Sequence, residues 1–280
     1  MHSRTTRRVA LAIGAAVLVS AGSGWVLWGR WSNDTTPISV DELSRRATGS
    51  TTPTITAARV TTSSITTPSI TTPGITTATT APMPLPPAGV YAYATTGTES
   101  LDLLTGIDRD YPVETGVVVT PTACGVDLSW QPYLERTYTI ELCRTGSDVT
   151  VAGYTNAYEF FGQPEQRRLT CQPGLAWVPA AGSVIEATCE GDGVSERRVG
   201  TASADSIVVD GERRSVVRVV IEATTSGSTE GTTHEELWLD PVSGLPLRLQ
   251  RSVSNRTSTA VGSAEYDEQV VLQMSVLTPV

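Results

Sequence analysis

Residues 217–250, VRVVIEATTSGSTEGTTHEELWLDPVSGLPLRLQ, hold three apolar alternations separated by two turns. Val217, Val219 and Ile221 alternate with Arg218, Val220 and Glu222. Leu237 and Leu239 alternate with Glu236 and Trp238, and Leu245, Leu247 and Leu249 with Pro246, Arg248 and Gln250. A period of two puts alternate side chains on opposite faces of an extended chain, so each run reads as a strand with one face on a core. Ser226-Gly227-Ser228 and Asp240-Pro241-Val242-Ser243-Gly244 are turn chemistry. Strands joined by turns this short pair antiparallel, because parallel pairing needs a long crossover.

The pattern extends in both directions. Val270, Leu272, Met274 and Val276 form one face of a last strand, and Asp210-Gly211 and Val261-Gly262-Ser263 supply further turns. Toward the N-terminus, Tyr91 and Tyr93 share a face of a first strand, followed by Val117 to Val119, Val126 to Leu128, Tyr138 to Leu142 and Val149 to Tyr154. Asn156 to Gly162 departs from alternation and reads as a covering loop or short helix, while Ser100 to Leu104 fits a helical turn, a strand or a loop equally. The expectation for residues 88–280 is one all-β domain, an antiparallel meander of about nine or ten strands.

All four cysteines lie between 124 and 189, and four cysteines allow three connectivities. Pairing Trp130 with Thr137 sets Cys124 opposite Cys143, and pairing Val178 with Gly182 sets Cys171 opposite Cys189, so 124–143 with 171–189 is the favoured set. Metal binding is the rival, but no C-x-x-C spacing occurs and His234 is the one histidine of the domain. Disulfides imply an oxidising compartment, and each would restrain a loop of roughly 20 residues, contributing about 2–4 kcal/mol.

Residues 9–28, VALAIGAAVLVSAGSGWVLW, carry no charge and are flanked by Arg4, Arg7, Arg8 and Arg30. Twenty residues at about 1.5 Å rise match a hydrocarbon core of roughly 30 Å, so residues 9–30 are expected to form a transmembrane helix after a cytoplasmic tail, residues 1–8. A cleaved signal peptide ending at Val19-Ser20-Ala21 is the competing reading, although Trp25, Trp28 and Trp31 suit an interfacial belt. The excess of arginine before the segment places the C-terminal domain outside. Residues 31–87, dominated from 47 onward by Thr, Pro, Ser and Ala with the repeat SITTP-SITTP-GITTA, read as a disordered stalk. In extended geometry it would reach on the order of 100 Å, with or without O-linked sugar.

Three of the 29 acidic residues and seven of the 20 arginines precede Ala88, which leaves the domain near −13 and argues against nucleic acid or anionic headgroups as partners. No motif identifies a reaction. His234 beside Glu235 and Glu236 is the most tempting combination, but no nucleophile elbow accompanies it, and on a strand His234 and Glu236 share a face while Glu235 points away. Asp108-Arg109-Asp110 and Glu190-Gly191-Asp192-Gly193 lack the ordered acidic spacing of a calcium loop. No catalytic residue, cofactor or metal is assigned. Trp130, Trp177 and Trp238, with Tyr158, Phe160 and Phe161, are candidates to line an apolar ligand groove, the rival reading being that they fill a core.

Val208-Val209-Asp210-Gly211, Glu236-Leu237-Trp238-Leu239-Asp240-Pro241 and Ser243-Gly244-Leu245-Pro246-Leu247-Arg248, within Gly200 to Arg251, resemble the closing meander of lipoprotein-carrier-like half-barrels. The layout also resembles envelope proteins of high-GC Gram-positive bacteria. The resemblance implies a curved, open sheet that cradles acyl chains or serves as a scaffold. The resulting expectation is a non-enzymatic binding or scaffold domain of the cell envelope, anchored in the cell membrane through residues 9–30, with a lipid or another envelope protein as partner. An interaction module without ligand and an envelope hydrolase built around His234 are the alternatives.

Overall fold

The computed structural model describes residues 36–49, 83, 85–102, 107–160, 163–259 and 262–280. The expected transmembrane helix, most of the Thr/Pro-rich tract and Phe161 lie outside them. Thirteen strands follow in chain order. The first seven are β1 (Gly89–Asp102), β2 (Ile107–Asp110), β3 (Glu114–Pro121), β4 (Gly125–Tyr133), β5 (Arg136–Thr145), β6 (Asp148–Phe160) and β7 (Gln163–Ala176). The others are β8 (Val184–Gly191), β9 (Val194–Val209), β10 (Glu212–Gly227), β11 (Thr229–Leu239), β12 (Pro246–Thr259) and β13 (Gly262–Met274).

Each strand from β3 onward pairs antiparallel with its successor, and β13 returns to β1, closing a 12-strand barrel. The expected open half-barrel is therefore corrected. Closure is carried by the two edges of β1. One edge pairs Gly89–Ala94 with β3 and Thr98–Leu101 with β2. The other pairs Tyr93–Asp102 with β13 from Met274 to Glu265. Gly97 lies on this seam at φ +135°, where a Cβ would fall 2.0 Å from the Gln269 carbonyl oxygen, so glycine lets the two strands meet. β2, paired with β1 alone, stands outside the closed ring.

The alternating faces fill the lumen as expected. Tyr91, Tyr93, Val117, Leu128, Ile140, Val219, Leu237, Leu249 and Leu272 all belong to one buried cluster. Outward faces are polar, with ion pairs such as Arg168–Glu141, Arg197–Glu186 and Arg256–Glu265. The barrel has more strands than the nine or ten expected, and Asn156 to Phe160 lengthen β6 instead of forming a covering loop or short helix. Asn156 and Tyr158 pair across from Tyr138 and Arg136, on the inward side. Polar residues occupy the interior there, so apolar alternation does not mark the strand.

Both favoured disulfides are present, and no cysteine is free among the described residues. Cys171 and Cys189 are direct partners across β7 and β8, with side chains buried on the lumen side. Cys124 bonds Cys143 although the ladder pairs Cys143 with Gly125, one residue from the expected register. The tight turn at Leu134-Glu135, with Tyr133 paired to Arg136, sets the ladder two residues from the expected register, and a bulge between Trp130 and Tyr133 takes one of them back.

The stretch 36–49, expected to belong to the stalk, packs on the barrel. Pro37 bridges Tyr133, the Ile38 N–H donates to the Pro132 carbonyl at 3.3 Å, and the Leu134 N–H donates to Thr36 at 3.2 Å. A helix, α1 (Val40–Gly49), then runs over the outer wall. Ser39 caps it by accepting from the Glu42 N–H at 3.2 Å. Ile38, Val40 and Leu43 bury against the outward-facing Val90 and Ala92, and Leu43 sits where Gly116 leaves room.

Candidate functional site

The densest chemistry lies inside the barrel, where the apolar faces run on into charge. On β12 the inward series Leu247, Leu249 continues to Arg251; on β13 Met274, Leu272 and Val270 continue to Glu268. On β11 Leu239 and Leu237 continue to Glu235, and on β5 Leu142, Ile140 and Tyr138 continue to Arg136. Glu99 on β1 and Arg198 on β9 complete the set. All six are at most 5 % exposed, so the lumen has an apolar half and a charged half. Three arginines face three glutamates, which cancels the formal charge.

Two groups share the charged half. In the first, Arg136 bridges Glu99 and Glu268, and Arg251 binds Glu268 Oε1 through Nε at 2.8 Å and Nη2 at 2.6 Å. The Tyr111 hydroxyl lies 2.9 Å from Glu99 and 3.1 Å from Glu268, and the Tyr266 hydroxyl 3.0 Å from Glu99 and also against Glu268, so each shares its one proton between two carboxylates. Arg109 extends the group outward to Glu99 and to Glu135 at 3.1 Å. In the second, Arg198 pairs with Glu235, which accepts from Tyr138 at 3.3 Å. Arg251 lies over the Tyr138 ring and Arg198 over the Tyr154 ring, each 4.1 Å from the centroid, and the two rings stack at 6.1 Å. This joins the groups.

Burial is the largest influence on Glu268 and opposes its ionisation, but Arg251, Arg136 and the Tyr266 hydroxyl outweigh it and bring the carboxyl down to about 2. Burial is also what raises Tyr138 and Tyr266 well above the usual phenol range, reinforced by Glu235 and Glu268 respectively. Glu268 is thus held as a carboxylate, and Tyr138 and Tyr266 as neutral phenols, around neutral pH. Such an arrangement can orient charge.

The six aromatic candidates are not brought together. Trp130 faces the lumen, donating to Thr115 at 2.9 Å, and helps line a cavity of ≈ 30 Å³ with Tyr93, Tyr138 and Leu249. Trp177 closes the opposite end of the barrel, donating to the Gly244 carbonyl at 2.7 Å, and borders a second cavity of ≈ 10 Å³. Trp238 stands on the outer wall between the guanidinium groups of Arg218 and Arg248, with its indole N–H on Asp205 at 3.0 Å. Tyr158 lies beside Arg136 at the charged end, Phe160 ends β6, and Phe161 is outside the described residues.

His234 is on the outer wall. Its Nδ1 meets Glu222 at 2.7 Å and its Nε2 meets Glu236 at 3.2 Å, so carboxylates take both ring nitrogens. The hydrogen bond to Glu222, opposed by partial burial and helped by Glu236, raises the imidazole above its ordinary value. The neighbour that reaches the interior is Glu235. Among the described residues no group of three or more His, Cys, Asp or Glu is placed to hold a metal ion.

Sequence reasoning passed over the charged cluster, although a signal existed. Reading each apolar alternation two residues further lands on Arg136, Glu235, Arg251 or Glu268, always at the inward parity. Protein-family models, curated proteins and solved structures contain no match to this chain.

Proposed function

We propose that this protein is a membrane-anchored module of the cell envelope whose closed barrel acts as a rigid scaffold, engaging another envelope component through its outer surface and not carrying an apolar molecule inside. The two disulfides suit an oxidising compartment outside the cytoplasm, and residues 9–30 supply the anchor.

The observation that carries the reading is the filled lumen. Pockets for small molecules measure about 300–1,000 Å³. Two interior cavities among the described residues, of ≈ 30 and ≈ 10 Å³, have room for a water or so, not an acyl chain. The charged half is filled by residues paired with one another, and the seam between β1 and β13 removes the open concave face that a lipid cradle needs.

Mass spectrometry of organic extracts from the full chain, purified from its own membranes and exchanged into lipid-free detergent, tests this. The expected result is no lipid at a constant molar ratio to protein. One lipid per barrel, lost on Trp130→Ala, would overturn the scaffold reading in favour of a carrier.

A further inference from the structure

We infer that the barrel is held end-on against the outer face of the membrane, charged end inward, and that the Thr/Pro-rich tract is an excursion from the barrel wall instead of the spacer between bilayer and domain. This deepens the anchored-scaffold reading and rests on its membrane anchor. It assigns the bilayer surface as the neighbour of one end of the barrel.

Chain connectivity carries the inference. The strap from Thr36 to Gly49 comes between the anchor and the tract, and it is fastened to the wall. Its start is bonded to the β4–β5 turn, through Thr36 to Leu134, Pro37 to Tyr133 and Ile38 to Pro132. Its middle is buried, with Ile38 at 2 % and Leu43 at 3 % exposure. Residues 50–82 therefore begin at a helix packed on the barrel and end at Met83, whose N–H donates to the Ser147 carbonyl at 3.0 Å on the β5–β6 turn. Both ends of that tract belong to the same body, so its length cannot set the distance to the membrane.

That distance is set by the chain from Arg30 to Thr36. At no more than ~3.5 Å per residue it reaches about 20 Å, against the hundred or so available to a free stalk. The β4–β5 turn, where Thr36 arrives, is also the end that carries Glu135, Arg136 and, across from them, Arg109 and Glu99. The opposite end, with the β11–β12 turn and its exposed Val242, lies about 35 Å farther out for tilted strands of this length. The domain's negative charge would not draw it to anionic headgroups, so the tether does the holding.

The full chain reconstituted in vesicles with an energy-transfer acceptor on the lipid headgroups tests this. A donor is attached at Leu134→Cys or at Val242→Cys, both exposed positions. Transfer from position 134 is expected to exceed that from 242 about twofold or more, given their ~35 Å separation along the barrel. Doubling the length of the 50–82 tract should change neither value, and Leu43→Asp, which undocks the strap, should bring position 134 down to the level of 242. Equal transfer from both positions, falling as the tract is lengthened, would overturn the inference and restore the stalk. A full chain that does not sediment with the vesicles at all would instead remove the anchor on which the proposed function stands.

Discussion

Arg198 is buried deep in the charged half. Its side chain is 3 % exposed, its charge is met by Glu235 and, at 3.5 Å, by Glu196, and its guanidinium plane rests on Tyr154. Removing one partner of such a buried pair strands the other charge, which typically costs about 3–5 kcal/mol. Glu235→Leu leaves Arg198 only the longer contact to Glu196 and is expected to lower the unfolding free energy toward that amount in a denaturant titration. Combining it with Arg198→Leu should recover much of the loss, since Arg198 Nε finds no acceptor and the pair is incompletely satisfied to begin with. A double variant no better than Glu235→Leu alone would contradict this. Glu268 adds a pH dependence whose sign follows from its depressed value. The unfolded chain takes up that proton near 4.5 and the folded chain near 2, so stability present above about 4.5 drains away as the pH falls toward 2. Acid titration of the unfolding midpoint should show this loss, and Glu268→Gln should flatten it. At this scale the sequence was half legible. Tyr91, Tyr93, Leu237 and Leu249 were readable as core because apolar side chains announce themselves at period two. Glu235 was not, because an isolated glutamate on a strand looks like a solvated one until its arginine is found on a strand dozens of residues away.

At the scale of elements, α1 shows what composition conceals. Ser39-Val40-Asp41-Glu42 is a capping box and Leu43 follows it, yet ten helical residues next to a Thr/Pro-rich tract drew no notice. The outward Val90 and Ala92 were the complementary clue, being apolar residues on the wrong face of β1 for a lumen. Gly116 is the position to test. An added Cβ there would meet the Leu43 Cδ1 at 2.5 Å, so Gly116→Val should undock the strap while leaving the ladder between β1 and β3 in place. Limited proteolysis between 36 and 49 should become rapid in that variant and stay slow in the parent. Equal rates in both would show that the strap does not depend on this contact. The disulfides were more readable, because hairpin arithmetic constrains which cysteines can face each other. The β4 bulge shifted one register by a residue without changing the partners.

For the whole molecule, the antiparallel meander was plain from alternation and turns, whereas closure was not. Closing a sheet is decided by whether first and last strands reach one another, here β1 and β13 across more than 160 residues of sequence, and no local pattern states it. Gly97 is the nearest thing to a signal, a strand glycine at the point where Gln269 comes close. The scaffold function depends on that seam, since an open edge would expose the lumen and restore a concave face for a ligand. Amide hydrogen exchange of the full chain, resolved along β1 and β13, tests it most directly. The closed barrel predicts that the ladder amides from Tyr93 to Leu101, and their partners from Tyr266 to Met274, exchange as slowly as those of the β10–β11 ladder. Fast exchange confined to the β1-facing amides of β13 and the β13-facing amides of β1, with the other ladders protected, would mean an open half-barrel and would contradict a closed barrel.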